Sequence, residues 1–211
     1  MIDPLAPEAA HAVPTETRHK RLILASSSPR RRELLRQIGV QFDVAAQNIN
    51  ETPGADETPT DYVCRLALAK ARAVMTDGTV LTCPILGADT IVVCAGQLLG
   101  KPMDRAHALS MLARLSGTTH EVLSAVAMIE GRREAVLLSA TRVSFRDLSP
   151  LECERYWQSG EPEGKAGAYA IQGLAAMFVS SIEGSYSGVV GLPLFETCEL
   201  LQQFGVSTGL S

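Results

Sequence analysis

An α/β fold with a mixed, twisted central sheet flanked by helices is what the sequence predicts, and three observations carry that prediction. Short apolar runs suited to buried strands alternate with stretches of helical periodicity, most clearly Ile85 to Val93 followed by Arg105 to Leu115. Helix starts are marked by Ser28-Pro29 and by Ser149-Pro150-Leu151-Glu152, where a serine cap precedes a proline in the first turn. Two long apolar segments around Gly131 read as an antiparallel pair, so the sheet is mixed rather than purely parallel.

Taken in order, Met1 to Lys20 is rich in Pro, Ala, Glu and His without apolar periodicity and is expected to be an unstructured extension, leaving residues 21–211 as one domain. Leu22 to Ala25 is a short buried strand. The helix after Ser28 should run from Pro29 to about Ile38, bury Leu34, Leu35 and Ile38, and stop at Gly39. A second helix is expected from Thr60 or Asp61 to Val74, with Val63, Leu66, Ala67 and Ala71 on its apolar face. Ile85 to Val93 is a central strand that turns at Ala95-Gly96 into Gln97 to Leu99. A third helix, Arg105 to Leu115, is closed by Gly117. The pair Val122 to Ile129 and Ala135 to Phe145 follows. The box at Ser149 opens a helix through Trp157, Gly160 ends it, and Glu161 to Gly173 is a glycine-containing loop. Met177 to Ile182 is a strand and Leu194 to Phe204 a closing helix. No internal repeat is visible.

A chain of 211 residues that is 46% hydrophobic can bury one substantial core but is short for two independent domains. The formal net charge of -4 and 5% aromatic content argue against a nucleic-acid binder, which needs a basic excess or a stacking platform. A small anionic substrate in a local basic pocket remains compatible. The five cysteines (Cys64, Cys83, Cys94, Cys153, Cys198) are scattered and form no Cys-x-x-Cys pair, so they read as reduced thiols. No apolar run reaches the roughly 20 residues of a membrane span, and residues 1–20 lack a signal core, which makes the cytoplasm the expected location.

The strand that ends in Ser26-Ser27-Ser28 and feeds a helix start is an anion-site candidate, because the first helical turn offers unpaired N–H groups and a positive dipole end. Arg30 and Arg31 add paired donors for phosphate oxygens; Arg32 is read as solvent-facing. Taken alone, the same pattern also describes a solvated basic helix start. Asp89 is the most informative residue, since its neighbours demand burial and a buried carboxylate needs a cation, a hydrogen-bond cage or a cleft. A metal-binding or water-activating role meets that need, while bonding to backbone N–H groups at a strand end is the plain alternative. Lys70 and Lys101 are single lysines that gain meaning beside Asp89 and the arginines, as cations around a triphosphate. Glu51 is a second carboxylate for a metal or, alone, a solvated side chain. Gln172 carries a donor and an acceptor suited to a nucleobase edge, though a loop glutamine also satisfies loop backbone. His120, with no second histidine at ligand spacing, reads as structural.

Together these segments resemble the Maf family of nucleotide pyrophosphatases from Leu22 to Phe204. The motifs are Leu24-Ala25-Ser26-Ser27-Ser28-Pro29-Arg30-Arg31, Gly87-Ala88-Asp89-Thr90, Gly100-Lys101-Pro102, Ser116-Gly117 with His120, Lys165-Ala166-Gly167-Ala168-Tyr169 and Val190-Gly191-Leu192-Pro193-Leu194. The resemblance implies two lobes around a substrate cleft, an inosine-triphosphatase-like arrangement, a homodimer, and cleavage between the α- and β-phosphates with a divalent metal, Mg²⁺ or Mn²⁺. It assigns Asp89 as the catalytic carboxylate, Arg30, Thr90 and Gln172 to substrate selection, Ser28, Arg31, Lys70, Lys101 and Lys165 to phosphate binding, and Glu51 with Asp89 to the metal.

One departure is Asn50-Glu51, where members commonly carry two adjacent acids. The run Gly167 to Gly173 is similar to the branch acting on dTTP and UTP rather than on 7-methyl-GTP. The resemblance also admits a non-catalytic nucleotide-sensing regulator of septum formation; a carboxylate inside an apolar strand favours the enzyme.

Overall fold

The computed structural model describes residues 20–75 and 83–210. Of the expected N-terminal extension, residues 1–19 lie outside the described residues; Lys20 itself is anchored, its ammonium bonding Glu130 at 2.7 Å and the Phe204 carbonyl at 3.1 Å. The described residues form one seven-stranded mixed sheet in the order β2-β1-β3-β5-β6-β7, with β4 on β3. The strands are β1 (Leu22–Leu24), β2 (Phe42–Val44), β3 (Ile85–Cys94), β4 (Gln97–Leu99), β5 (Thr119–Glu130), β6 (Arg133–Phe145) and β7 (Val179–Glu183). The helices are α1 (Pro29–Gln37), α2 (Pro59–Arg72), α3 (Arg105–Leu115), α4 (Pro150–Gln158), α5 (Tyr186–Val190) and α6 (Leu194–Phe204).

The central strand β3 is buried on both faces, as its near-continuous apolar sequence requires. Its odd-numbered side chains, Ile91 and Val93, pack with Val63 and Ala67 of α2. Its even-numbered ones, Leu86, Ala88 and Val92, join the larger core built with α1, α3, α4 and α6. Gly87 lets α2 come close. A Cβ there would overlap the Ala67 carbonyl oxygen and lie 2.8 Å from the Ala71 nitrogen.

One edge of β3 is shared by two partners and leaves a gap between them. β1 runs parallel to its start, at Ile85 and Leu86, while β4 folds back on its end, from Val92 to Cys94. Residues 87–91 therefore have no strand on that edge, and a cleft opens through the sheet beside them. The other edge is paired with β5 along almost its whole length.

Several expectations shift in detail. The second helix begins at Pro59, because Thr58 is the cap and accepts the Asp61 N–H at 3.1 Å. Ser28 occupies the cap position of α1 but makes no side-chain cap bond. Residues 174–178 form a 3-10 turn, so β7 starts at Val179 rather than Met177. Neither β2 nor α5 was expected. The capping box at Ser149 is formed as read, with Glu152 returning to the Ser149 N–H.

Candidate active site

The gap beside β3 opens into a cleft of about 1040 Å³. All ten residues singled out in the sequence line it: Ser28, Arg30, Arg31, Glu51, Lys70, Asp89, Thr90, Lys101, Lys165 and Gln172. The gap also explains how neighbours on one strand, Asp89 and Thr90, reach a single cavity although their side chains leave opposite faces of the sheet.

At the floor, the Lys70 ammonium lies 2.6 Å from Asp89 Oδ1 and 2.7 Å from Glu51 Oε1. Lys70 is brought there by α2, which Gly87 allows to press on β3. The Asp89 side chain is 11% exposed, so its charge is compensated by this pair rather than by water. Burial acts to raise the Glu51 carboxyl pKa, but the Lys70 hydrogen bond and the charges of Lys70, Lys101 and Arg31 outweigh it and the net shift is downward. Asn50 is not part of the cleft lining; its side chain accepts the Thr52 N–H at 2.9 Å. The substitution of an amide at that position therefore leaves the cleft carboxylate, Glu51, in place.

The helix start lies beside this floor. Arg31 donates from Nε to the Gly191 carbonyl at 2.8 Å and from Nη1 to Ser26 Oγ at 3.1 Å. Ser26 Oγ also accepts the Ser28 N–H, so this buried serine, not Ser28, shapes the turn into α1. Thr90 Oγ1 donates to the same Gly191 carbonyl at 3.4 Å, tying β3 to α1 through one loop oxygen. Gly191 has φ +134°, a conformation that strains any side chain, so the sequence needs glycine there to aim this carbonyl. Arg32, expected in solvent, instead folds back and donates to the Ser27 carbonyl at 2.7 Å.

Arg30 stays without a bond at its buried Nε, among the described residues, and burial lowers its pKa with only Glu33 opposing. Lys165, across the cleft, is lowered first by burial and then by the charge of Arg30. Two cations that repel each other in a partly desolvated cleft are relieved by an anion between them. The Lys165 loop is pinned by the Gly167 N–H, which donates to the Gly100 carbonyl at 3.0 Å and so sets Lys165 near Lys101.

His120 lies outside the chemistry. It is 2% exposed, packs edge-on against Phe145 and Tyr169, and its Nε2 is 2.9 Å from the Tyr169 hydroxyl. Burial pushes its imidazole down from 6.5 to about 4. Between those two values the unfolded chain binds a proton that the folded one refuses, so stability is complete above pH 6.5 and falls as pH drops toward 4, by roughly 3 kcal/mol in total. Urea unfolding of the wild type and His120→Phe at pH 7.5 and 4.5 measures this. The variant is expected to lose less stability on acidification; equal losses would remove His120 as the source.

A family model described as Maf-like protein matches residues 21–204. The chain belongs to the Maf family. Among its relatives, the dTTP/UTP pyrophosphatase of Alkalilimnicola ehrlichii is 53% identical over 189 residues, covering 88% of this chain and 93% of the relative. The dTTP/UTP pyrophosphatases of Hahella chejuensis and Shewanella frigidimarina are 52% and 54% identical, covering 89% and 85% of this chain and 94% and 95% of theirs.

Sequence reasoning about this Maf chain placed Ser26 and Gly191 within motifs without giving either its own role, and missed Glu161. The Arg31–Gly191 contact spans 160 positions and Glu161 meets amides 13 and 14 positions away, whereas Ser26 acts locally, on Ser28 and Arg31. Only glycine at position 191 carries a signal that could have flagged a special backbone.

Proposed function

We propose that this Maf protein hydrolyses dTTP and UTP to the nucleoside monophosphate and pyrophosphate. The observation that supports this most directly is Asp89 itself, a buried carboxylate at the unpaired edge of β3, opening on a cleft lined by Arg30, Arg31, Lys70, Lys101 and Lys165. The names of the relatives supply the base and the bond.

In this reading the triphosphate lies across the start of α1, where Ser28, whose hydroxyl makes no cap bond, and the first-turn N–H groups face an anion. Arg31, Lys101 and Lys165 hold its phosphates, and Arg30, Thr90 and Gln172 line the part of the cleft that takes the nucleoside. Asp89 accepts a proton from a water that attacks the α-phosphorus. The Pα–O–Pβ bond breaks and pyrophosphate leaves with the bond's electron pair.

A divalent cation fits the floor of the cleft. Glu51 and Asp89 already converge on one cation, the Lys70 ammonium, at 2.7 and 2.6 Å. They are the residues that would hold Mg²⁺ or Mn²⁺, and the ion would neutralise charge on the triphosphate. Two carboxylates leave the remaining positions of such an ion to substrate phosphates and water. The reading extends to a cytoplasmic homodimer. No described helix is long and apolar enough to cross a membrane.

The test is to incubate the protein with Mg²⁺ or Mn²⁺ and a panel of nucleoside triphosphates, including 7-methyl-GTP, and to identify the products. Pyrophosphate from dTTP and UTP is expected; single phosphate, or preference for 7-methyl-GTP, would overturn the assignment. Gln172 sharpens it. Gln172→Glu keeps size but removes the amide donor, so kcat/KM should fall for dTTP and UTP together by about 1–3 kcal/mol, and less for CTP. Equal losses on all three would mean that Gln172 supports its loop and does not read the base.

A further inference from the structure

Glu161 was not singled out by the sequence, yet its carboxylate sits in the cleft lining with every nearby bond directed at the protein. Oε1 accepts the Tyr156 hydroxyl at 2.7 Å and the Ala175 N–H at 3.2 Å, and Oε2 accepts the Leu174 N–H at 2.8 Å. These amides open a 3-10 turn (residues 174–178) whose first N–H groups have no partner within the turn. The Tyr156 hydroxyl in turn accepts the Ala170 N–H at 3.1 Å. One hydrogen-bonded pair therefore grips the segment at both ends, Ala170 on one side and Leu174 with Ala175 on the other. Gln172 lies between the grips.

The fit is close. A Cβ at Gly173 would overlap the Glu161 carboxylate, so the segment can lie on it only with glycine at that position. Tyr156 is 4% exposed and fixed by an edge-on contact with Phe178 at 5.0 Å, so its hydroxyl is held by packing. Burial and the bond to Glu161 push the Tyr156 phenol pKa well up, which keeps it a donor. Gln172 itself is exposed to the cleft and makes no side-chain hydrogen bond among the described residues. Its position depends on the backbone that carries it.

We propose that Glu161 and Tyr156 are positioning residues for base recognition, holding the Ala170–Ala175 segment so that Gln172 faces the nucleobase. Three of the roughly four acceptor sites of the Glu161 carboxylate are taken by Tyr156, Leu174 and Ala175, which gives it a holding role in this segment. The proposal rests on the dTTP/UTP reading above and names the part of the cleft that sets the base preference.

The experiment compares wild type, Tyr156→Phe, Glu161→Gln and Gln172→Ala. Tyr156→Phe keeps the ring and removes the hydroxyl at the centre of the network; Glu161→Gln keeps one acceptor and is the milder change. For each, kcat/KM is measured with dTTP, UTP and CTP, together with the inhibition constant of pyrophosphate and Tm. The dTTP-to-CTP ratio should fall about tenfold in Tyr156→Phe, as it does in Gln172→Ala, and by less in Glu161→Gln. In Tyr156→Phe, which leaves every charge of the cleft in place, the pyrophosphate constant should stay within about twofold; Glu161→Gln removes a charge that acts on Lys165, so it is judged on the nucleotide ratio alone.

A lower Tm with an unchanged ratio in both network variants would overturn the proposal and leave the pair a purely structural tie. If Tyr156→Phe does not fold, Glu161→Gln decides alone on the same ratio. A wild type with no preference among the three nucleotides would instead overturn the dTTP/UTP reading, and is distinguished by being read before any variant.

Discussion

Asp89→Asn is expected to lose at least about 10²-fold in kcat while keeping its fold and its grip on the triphosphate. The amide preserves the shape of a side chain that is 11% exposed at the edge of β3, so packing against Lys70 and the cleft wall changes little. It removes the negative charge needed to take a proton or hold a divalent cation. Lys70 keeps a carboxylate partner in Glu51 at 2.7 Å, so its ammonium is not stranded and the change in Tm should be small. Removing one negative charge beside a polyanion lowers repulsion, so Kd for a non-hydrolysable triphosphate should hold or tighten. Measuring kcat, Kd and Tm together separates these effects. A rate near wild type would remove Asp89 from the mechanism; a large loss of binding with the rate of bound substrate intact would make it a binding group.

The parts of the fold that the sequence made legible are those whose signals are local. α3 and α6 run over the residues read for them because Asp104 caps the first and Gly205, at φ +69°, ends the second. β3 announced itself by apolar content, and Asp89 by contradicting it. What stayed hidden depends on distant partners. β2 is three residues with mostly exposed side chains and exists because β1 offers it a parallel edge. α5, five residues long, is set by Ser185 accepting the Gly188 N–H. The start of α2 was visible in principle, since Thr58-Pro59 repeats the Ser28-Pro29 pattern, and was missed by one or two residues because the apolar periodicity begins later, at Val63. Each cleft residue was legible by chemical type, but not the gap in the sheet that gathers them, nor Glu161, whose role is defined by amides 13 and 14 positions away.

The same dependence on a close approach makes Gly87→Ala the most damaging small substitution expected in the core. The added Cβ would overlap the Ala67 carbonyl oxygen, lie 2.8 Å from the Ala71 nitrogen and 3.0 Å from the Ala71 Cβ. Two of these three are backbone atoms, so no rotamer change relieves the contact, and α2 must move off β3. Overpacking of this kind costs about 1–3 kcal/mol or more. The opposing gain from a less flexible unfolded chain is only about 0.4–1 kcal/mol, so the balance is destabilising. For a chain of this size that corresponds to a fall in Tm of roughly 2–10 °C. The movement also reaches the site, because Lys70 lies on α2 directly between the displaced Ala67 and Ala71. Its 2.6 and 2.7 Å contacts to Asp89 and Glu51 should lengthen, and kcat/KM should fall even at temperatures where the variant is fully folded. Gly87→Ala combined with Ala71→Gly removes the methyl contact but neither backbone contact, and should recover little of either loss. A Tm within a degree of wild type, or full recovery in the double variant, would mean that α2 has room over β3 and that Lys70 is held by its ion pairs alone.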